Sequence, residues 1–270
     1  MSCLARLFTA GLHQCRLFFI ALQFFTRLPI PAWVGFESSW LHHASRYFPL
    51  VGSVVAVISS AVYALAAWIW PAPVAVVLAT CAGIYLTGAF HEDGFADMCD
   101  GFGGGLTRER VLEIMRDSRI GAYGAIGIGC LLALKCVLLS LMPPSAAIAA
   151  LLLAHPLSRL AATALIWQLS YAREEGKAKP LAQEMNHYEF LIASSSAALP
   201  TLLLGGFGYV SWQAILGGVL AACIATAWLG KKFLRRIGGY TGDCLGGVQQ
   251  VTEVLFYLSV LASVQHGAWG

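Results

Sequence analysis

Three aspartates, Asp93, Asp97 and Asp100, stand at spacings i, i+4, i+7 in the stretch FHEDGFADMCDGFGGG. On a helix of about 3.6 residues per turn they fall within an arc of about 60° and cover roughly two turns. Carboxylates held that close repel one another unless a cation neutralises them. All-oxygen donors suit a hard cation, Mg²⁺ or Mn²⁺, and Mg²⁺ characteristically bridges a few protein carboxylates to substrate phosphates. The spacing therefore points to phosphoryl chemistry, with Asp93, Asp97 and Asp100 as metal ligands. Glu92 is a further candidate ligand, although for Glu92 and His91 a plain interfacial position is the simpler reading.

The residues that follow fit the same chemistry. Gly101 and Gly103–Gly105 let the backbone approach a ligand and offer N–H groups to phosphate oxygens, which makes Gly103 and Gly104 substrate-binding candidates. Thr107 is placed to cap a helix over 108–118. Arg116 and Arg119 flank Asp117 and Ser118, and arginine suits bidentate phosphate contact. Arg116, Ser118 and Arg119 are therefore further substrate-binding candidates, and Asp117 a further catalytic carboxylate. A second polar cluster, KKFLRRIGGYTGDCLGGVQQVTE over 231–253, adds Asp243 from a distant part of the chain. Its Lys231, Lys232, Arg235 and Arg236 serve either phosphate contact or a positive-inside anchor. Charges inside apolar runs mark function by default, which singles out His155, Arg159 and Glu253; Arg159 is a candidate phosphate contact. The competing reading is an ordinary solvated loop whose acids and arginines form weak surface pairs. It does not account for acids repeating at helical spacing beside glycines.

The elements that must carry these residues are membrane helices. Of the 270 residues 58% are hydrophobic and 11% charged, against about 25% charged in a soluble domain. The expected fold is an all-α integral membrane protein, one polytopic domain over 1–270. Seven apolar runs, at about 47–70, 74–90, 123–142, 146–169, 190–209, 213–230 and 248–266, approach the roughly 20 residues that cross a bilayer. Residues 1–46, with Arg16, Gln23 and Arg27 in an aromatic-rich run, read as an amphipathic interfacial or re-entrant segment, and 90–124 as a cytoplasmic helical loop. The N-terminal segment and the connections 91–122, 170–189 and 231–247 carry fifteen of the seventeen Lys and Arg residues, and the opposite connections carry none. The positive-inside rule then makes the charged side cytoplasmic and leaves the C-terminus outside. No secretory signal peptide is expected, since the first apolar run is interrupted by charge and ends in LPIP. The eight cysteines are scattered, without metal or disulfide spacing. Partners expected are small phosphorylated substrates and the bilayer, without nucleic acid; the sequence leaves a homo-oligomer open.

The segments QFFTRLPIP (23–31), RYFPLVG (46–52), HEDGFADMCDG (91–101), LEIMRDSRIGAYG (112–124), HPLSR (155–159), YAREEG (171–176) and GGYTGDCLGG (238–247) together resemble the cobalamin synthase family, the adenosylcobinamide-GDP ribazoletransferases. The likeness runs in order through nearly the whole chain. It implies a Mg²⁺-dependent enzyme of the bacterial cytoplasmic membrane, its active site facing the cytoplasm. Such an enzyme joins adenosylcobinamide-GDP to α-ribazole or α-ribazole 5′-phosphate and releases GMP. The DGxxAR pattern of CDP-alcohol phosphatidyltransferases is echoed but not met, because Asp97 follows Ala96. A phosphatidyltransferase-like lipid enzyme and an ion-coupled transporter are the alternatives.

Overall fold

The structure, a computed structural model, describes residues 3–173, 185–265 and 267. The described residues form eleven α-helices: α1 (Cys3–Phe25), α2 (Ser38–Ala44), α3 (Phe48–Ala67), α4 (Ala72–Thr87), α5 (Phe90–Gly104), α6 (Arg108–Ile114), α7 (Ala122–Ser140), α8 (Pro144–Gln168), α9 (His187–Gly206), α10 (Trp212–Ile237) and α11 (Gly242–Gln265). Among them six stretches are long and apolar enough to cross a membrane: Ser39–Ala67, α7, α8, α9, α10 and α11. The expected bundle of about seven spans is reached when α4 is added, since α4 and α5 pass the same test together. They are bent against each other by 88°. The second apolar run, expected at 74–90, is therefore a shorter helix of 16 residues followed by a break. α1, 23 residues long, is not among these six stretches.

Burial sorts the helices. The most apolar stretches of α8 and α11 are each 67% buried, against 22 to 44% for the other spans, so these two form the centre of the bundle. Leu199, Leu216, Leu220 and Ile224 on α9 and α10 are exposed, as faces that meet acyl chains must be. Trp68, Trp70, Tyr209 and Trp212 are exposed at helix ends, where amphipathic rings favour the interface.

Close crossings rest on small residues, since helices in lipid gain association from backbone proximity rather than from hydrophobic exclusion. Gly52 of α3 lies so near α8 that a Cβ would come 2.6 Å from the His155 carbonyl oxygen, which joins RYFPLVG to HPLSR. Gly94 of α5 crosses α11 in the same way: a Cβ there would be 3.1 Å from the Asp243 Cα and 3.5 Å from the Gly246 Cα. A Cβ on Gly246 would meet the His91 carbonyl oxygen at 3.1 Å and the Gly94 Cα at 3.3 Å. Backbone atoms on both sides leave neither helix room to yield. Gly246→Val is expected to force α5 away from α11 and to destabilise the protein by about 1–3 kcal/mol, read as a lower melting temperature of the purified protein in detergent.

Candidate active site

The break between α4 and α5 starts the site. Gly88 ends α4 in the left-handed region (φ 64°), and Ala89 follows at φ 60°. The Ala89 N–H donates to the Ile84 carbonyl at 2.9 Å and the Gly88 N–H to that of Tyr85 at 3.2 Å, closing the helix end. The Arg27 N–H donates to the Leu86 carbonyl at 2.8 Å, and its guanidinium lies 5.1 Å from the centre of the Tyr85 ring. QFFTRLPIP thus docks on the break. The acidic residues therefore do not continue α4 in a straight line; they ride on a separate helix turned nearly at right angles to it.

On α5, Asp93 is exposed and Asp97 half-buried, and among the described residues neither carboxylate has a hydrogen bond or ion pair. The charges that act on Asp97 are those of Asp243, then Asp93, then Asp100, with Arg173 opposing them. Asp243 stands at the start of α11, brought across by the Gly94–Gly246 crossing. It accepts hydrogen bonds from Arg173 Nη2 at 2.8 Å and from Thr241 Oγ1 at 3.3 Å. Three carboxylates and one guanidinium therefore share a region built from two distant parts of the sequence. The donors are hard oxygens, as a Mg²⁺ site requires. Among the described residues, however, no three His, Cys, Asp or Glu side chains are grouped closely enough to surround an ion alone. Such a set fits Mg²⁺ in the way that ion usually binds, with one or two carboxylates and the remaining ligands from substrate oxygens and water.

The turn that delivers Asp243 follows from GGYTGD. Gly238 closes α10 at φ 79°. Gly239 abuts the Ser170 carbonyl, and the Tyr240 N–H donates to that carbonyl at 3.1 Å while the Ala172 N–H donates to the Tyr240 carbonyl at 2.8 Å. This short parallel pairing sets Tyr171 and Arg173 beside Asp243. Glu174, Glu175 and Gly176 of YAREEG lie outside the described residues.

Asp100 has a different environment from its two helical neighbours. Its carboxylate accepts the N–H of Gly121 at 2.7 Å and of Gly124 at 2.8 Å, so it is the anion at the N-terminus of α7. Glu92 turns toward α11, where its Oε1 accepts from Gln250 Nε2 at 2.9 Å, rather than toward Asp93 and Asp97. Gly103 and Gly104 form the last turn of α5 instead of an open loop, and a Cβ on Gly103 would strike the Tyr123 ring at 2.6 Å. The missing side chain of Gly103 makes room for that ring. Thr107 caps α6 as expected, accepting from the Arg110 N–H at 3.3 Å, but that helix ends at Ile114. Asp117 and Arg119 form a local exposed pair, Arg119 Nη2 donating at 2.7 Å; the hydrogen bonds from Arg119 hold the Asp117 carboxyl down at about 2. Arg116 and Ser118 are exposed beside it.

Basic residues of the second cluster face the end of α5. Arg236 Nη2 donates to the Gly105 carbonyl at 2.6 Å, and Lys232 lies 5.1 Å from the centre of the Phe102 ring. Lys231 and Arg235 are exposed.

The intramembrane charges form a buried network. Glu253 pairs with Lys135 Nζ, accepts from Tyr257 Oη at 2.8 Å and Gln249 Nε2 at 2.6 Å, and has His155 Nδ1 at 3.5 Å. Arg159 Nη1 donates to the His155 carbonyl at 3.1 Å, which buries this candidate phosphate contact inside the bundle at 3% exposure. The partnership of Lys135 with Glu253 was not legible in advance, because more than a hundred residues separate them. Glu189 was missed as well: buried, it accepts from His43 Nδ1 at 2.6 Å, from Arg46, and from the Asn186 N–H at 3.0 Å as a capping box. The Asn186-x-x-Glu189 spacing was the available signal.

A family model described as cobalamin-5-phosphate synthase matches residues 17–262. The chain belongs to that family. Among its curated relatives, an adenosylcobinamide-GDP ribazoletransferase of Leptothrix cholodnii is 46% identical over 263 residues, covering 94% of this chain and 98% of the relative. Proteins of the same name from Ralstonia nicotianae and Shewanella frigidimarina are 48% and 46% identical, each match covering 93% of this chain and 96% of the relative. No solved structure matches. The match runs from within α1 to within α11 and includes every residue placed at the site.

Removing one member of a buried ion pair leaves the other uncompensated. Glu253→Gln should therefore destabilise the protein by about 3–5 kcal/mol, and the double variant Glu253→Gln/Lys135→Met should recover most of that loss in thermal melts.

Proposed function

We propose that this chain is the membrane transferase that joins adenosylcobinamide-GDP to α-ribazole or its 5′-phosphate, releasing GMP and forming adenosylcobalamin or its 5′-phosphate. The observation that carries the reading is the meeting of Asp93 and Asp97 with Asp243 and Arg173 at the α5–α11 crossing, in a chain that matches the family over 17–262.

The ribazole hydroxyl attacks the cobinamide-side phosphorus of the diphosphate, the bond to the GMP oxygen breaks, and GMP leaves. Such transfers depend on positioning and on neutralising charge at the phosphoryl oxygens. Mg²⁺ is the cofactor we assign; held by Asp93 and Asp97, with Asp243 opposite, it would offset the charge of the diphosphate. One carboxylate of this group takes the hydroxyl proton. Arg173, oriented by Asp243, and the exposed Arg116, Ser118 and Arg119 supply donors for phosphate oxygens. Asp100 holds the N-terminus of α7 against α5 and so keeps the acidic face in place. Asp117 orients Arg119.

The site lies in the bacterial cytoplasmic membrane on the cytoplasmic side, a reading supported by the fifteen Lys and Arg residues on that face. Counting α4 as a short span, a reporter fused after Gly270 should read as extracytoplasmic.

The purified protein, given Mg²⁺, adenosylcobinamide-GDP and α-ribazole, should release GMP together with a corrinoid product. Asp93→Asn and Asp97→Asn should each lower that rate by roughly a hundredfold or more while the protein still inserts and purifies normally. Near-normal turnover of both variants at saturating Mg²⁺ would overturn the ligand assignment.

A further inference from the structure

Beside Asp243 the bundle contains an aromatic pocket that the transfer chemistry does not use. Phe24, Phe25, Phe48, Phe90, Tyr171 and Tyr240 line it, together with His91, Arg159 and the α11 residues Gly242, Leu245 and Gly246 on either side of Asp243. Counting its open mouth it encloses about 620 Å³. The rings are held by one another. Phe25 packs edge-on against Phe48 at 4.5 Å and against Phe90 at 5.3 Å, the His91 ring stacks on Phe25 at 5.3 Å, and Tyr171 meets Tyr240 at 5.6 Å. Distant parts of the chain meet here: the end of α1, the start of α3, the α4–α5 break, α8 with the segment after it, and the turn into α11. An aromatic wall assembled from so many elements suits a flat ring, because stacking on side-chain rings rewards any planar heterocycle.

The polar atoms narrow the choice. Arg159 is buried, and its Nε is a buried N–H with no hydrogen-bond partner. A buried donor left unpaired is costly, so an acceptor nitrogen on a bound ring would satisfy it. Among the described residues the wall contains no carboxylate and no side-chain amide. The edge of guanine asks for two adjacent acceptors, for N1–H and the 2-amino group, as a carboxylate provides and the single unpartnered Tyr171 hydroxyl does not, whereas a benzimidazole-type base presents a ring acceptor and apolar edges. Sites whose polar groups do not match a ligand's hydrogen-bonding edge discriminate strongly against it.

We propose that this pocket receives the apolar, planar heterocyclic base of the nucleoside acceptor, and not the guanine of the departing nucleotide. The inference rests on the transferase reading above. It places the acceptor base against the start of α11, with its ribose directed past Asp243 toward Asp93 and Asp97, and leaves the guanine side to the exposed residues of the 103–121 connection.

Two variants test it in the full-length protein. Ala162→Phe adds a ring from α8 into the pocket, and Phe90→Ala removes one from its partly exposed edge, where the fold is less dependent on it. Both should raise the KM for α-ribazole by roughly tenfold or more, with the KM for adenosylcobinamide-GDP changed by less than about threefold. A rise confined to the KM for adenosylcobinamide-GDP, or no change in either KM, would overturn the proposal. If Ala162→Phe does not fold, Phe90→Ala decides. A wild-type protein that forms no GMP would refute the transferase reading instead. The pocket is then judged by equilibrium binding of α-ribazole to the purified protein: binding by the wild type that Phe90→Ala weakens supports the pocket, and equal binding by both sinks it.

Discussion

The rest of the site depends on how closely α5 and α11 approach. With glycine at 94 and 246 the two backbones touch, and that contact decides which side chains of α5 face which side chains of α11. Asp93 and Asp97 come to the same region as Asp243 because the crossing lies beside Asp243. Glu92, one residue away, reaches Gln250 on the other side of the same crossing. Like charges brought together in this way repel, so the arrangement stores an affinity for cations and for the phosphates they carry. Larger residues at 94 or 246 would relieve the repulsion by separating the helices and would remove that affinity.

Two further constraints keep the crossing in register. The break at Gly88 and Ala89 frees α5 from the direction of α4, and the Arg27 backbone N–H and guanidinium fix the end of α4 from the N-terminal segment. On the far side Asp100 binds the N-terminus of α7, so α5 is held between α7 and α11. Deeper in the bundle Glu253 joins α7 and α11 through Lys135 and approaches α8 at His155. A buried charge with several partners is tolerable only when all are present, so this network gives the central helices one arrangement rather than added stability.

The polar face is divided accordingly. The cations at the end of α10 hold the end of α5 through Gly105 and Phe102, while Arg173 stands with Asp243. Cations of the same type thus serve as packing groups in one place and line the site in another. Their neighbours, not their identity, make the difference.

The chain's order in sequence was enough to determine much of this. Membrane class, about seven spans, the helical spacing of the acids and the cap at Thr107 are all local properties, set by hydropathy and spacing within a few turns. The resemblance of the ordered motifs to one family was legible for the same reason. Tertiary structure alone decided the rest. It separated Asp100 and Glu92 from Asp93 and Asp97, because N–H groups of α7 and an amide of α11 compete for the first two. It turned Gly103 into room for Tyr123, and it buried Arg159 within the bundle. It paired Lys135 with Glu253 and assembled an aromatic pocket from distant parts of the chain. Each of these depends on contacts between residues far apart in the chain, and spacing along one helix cannot say which face of another it will meet.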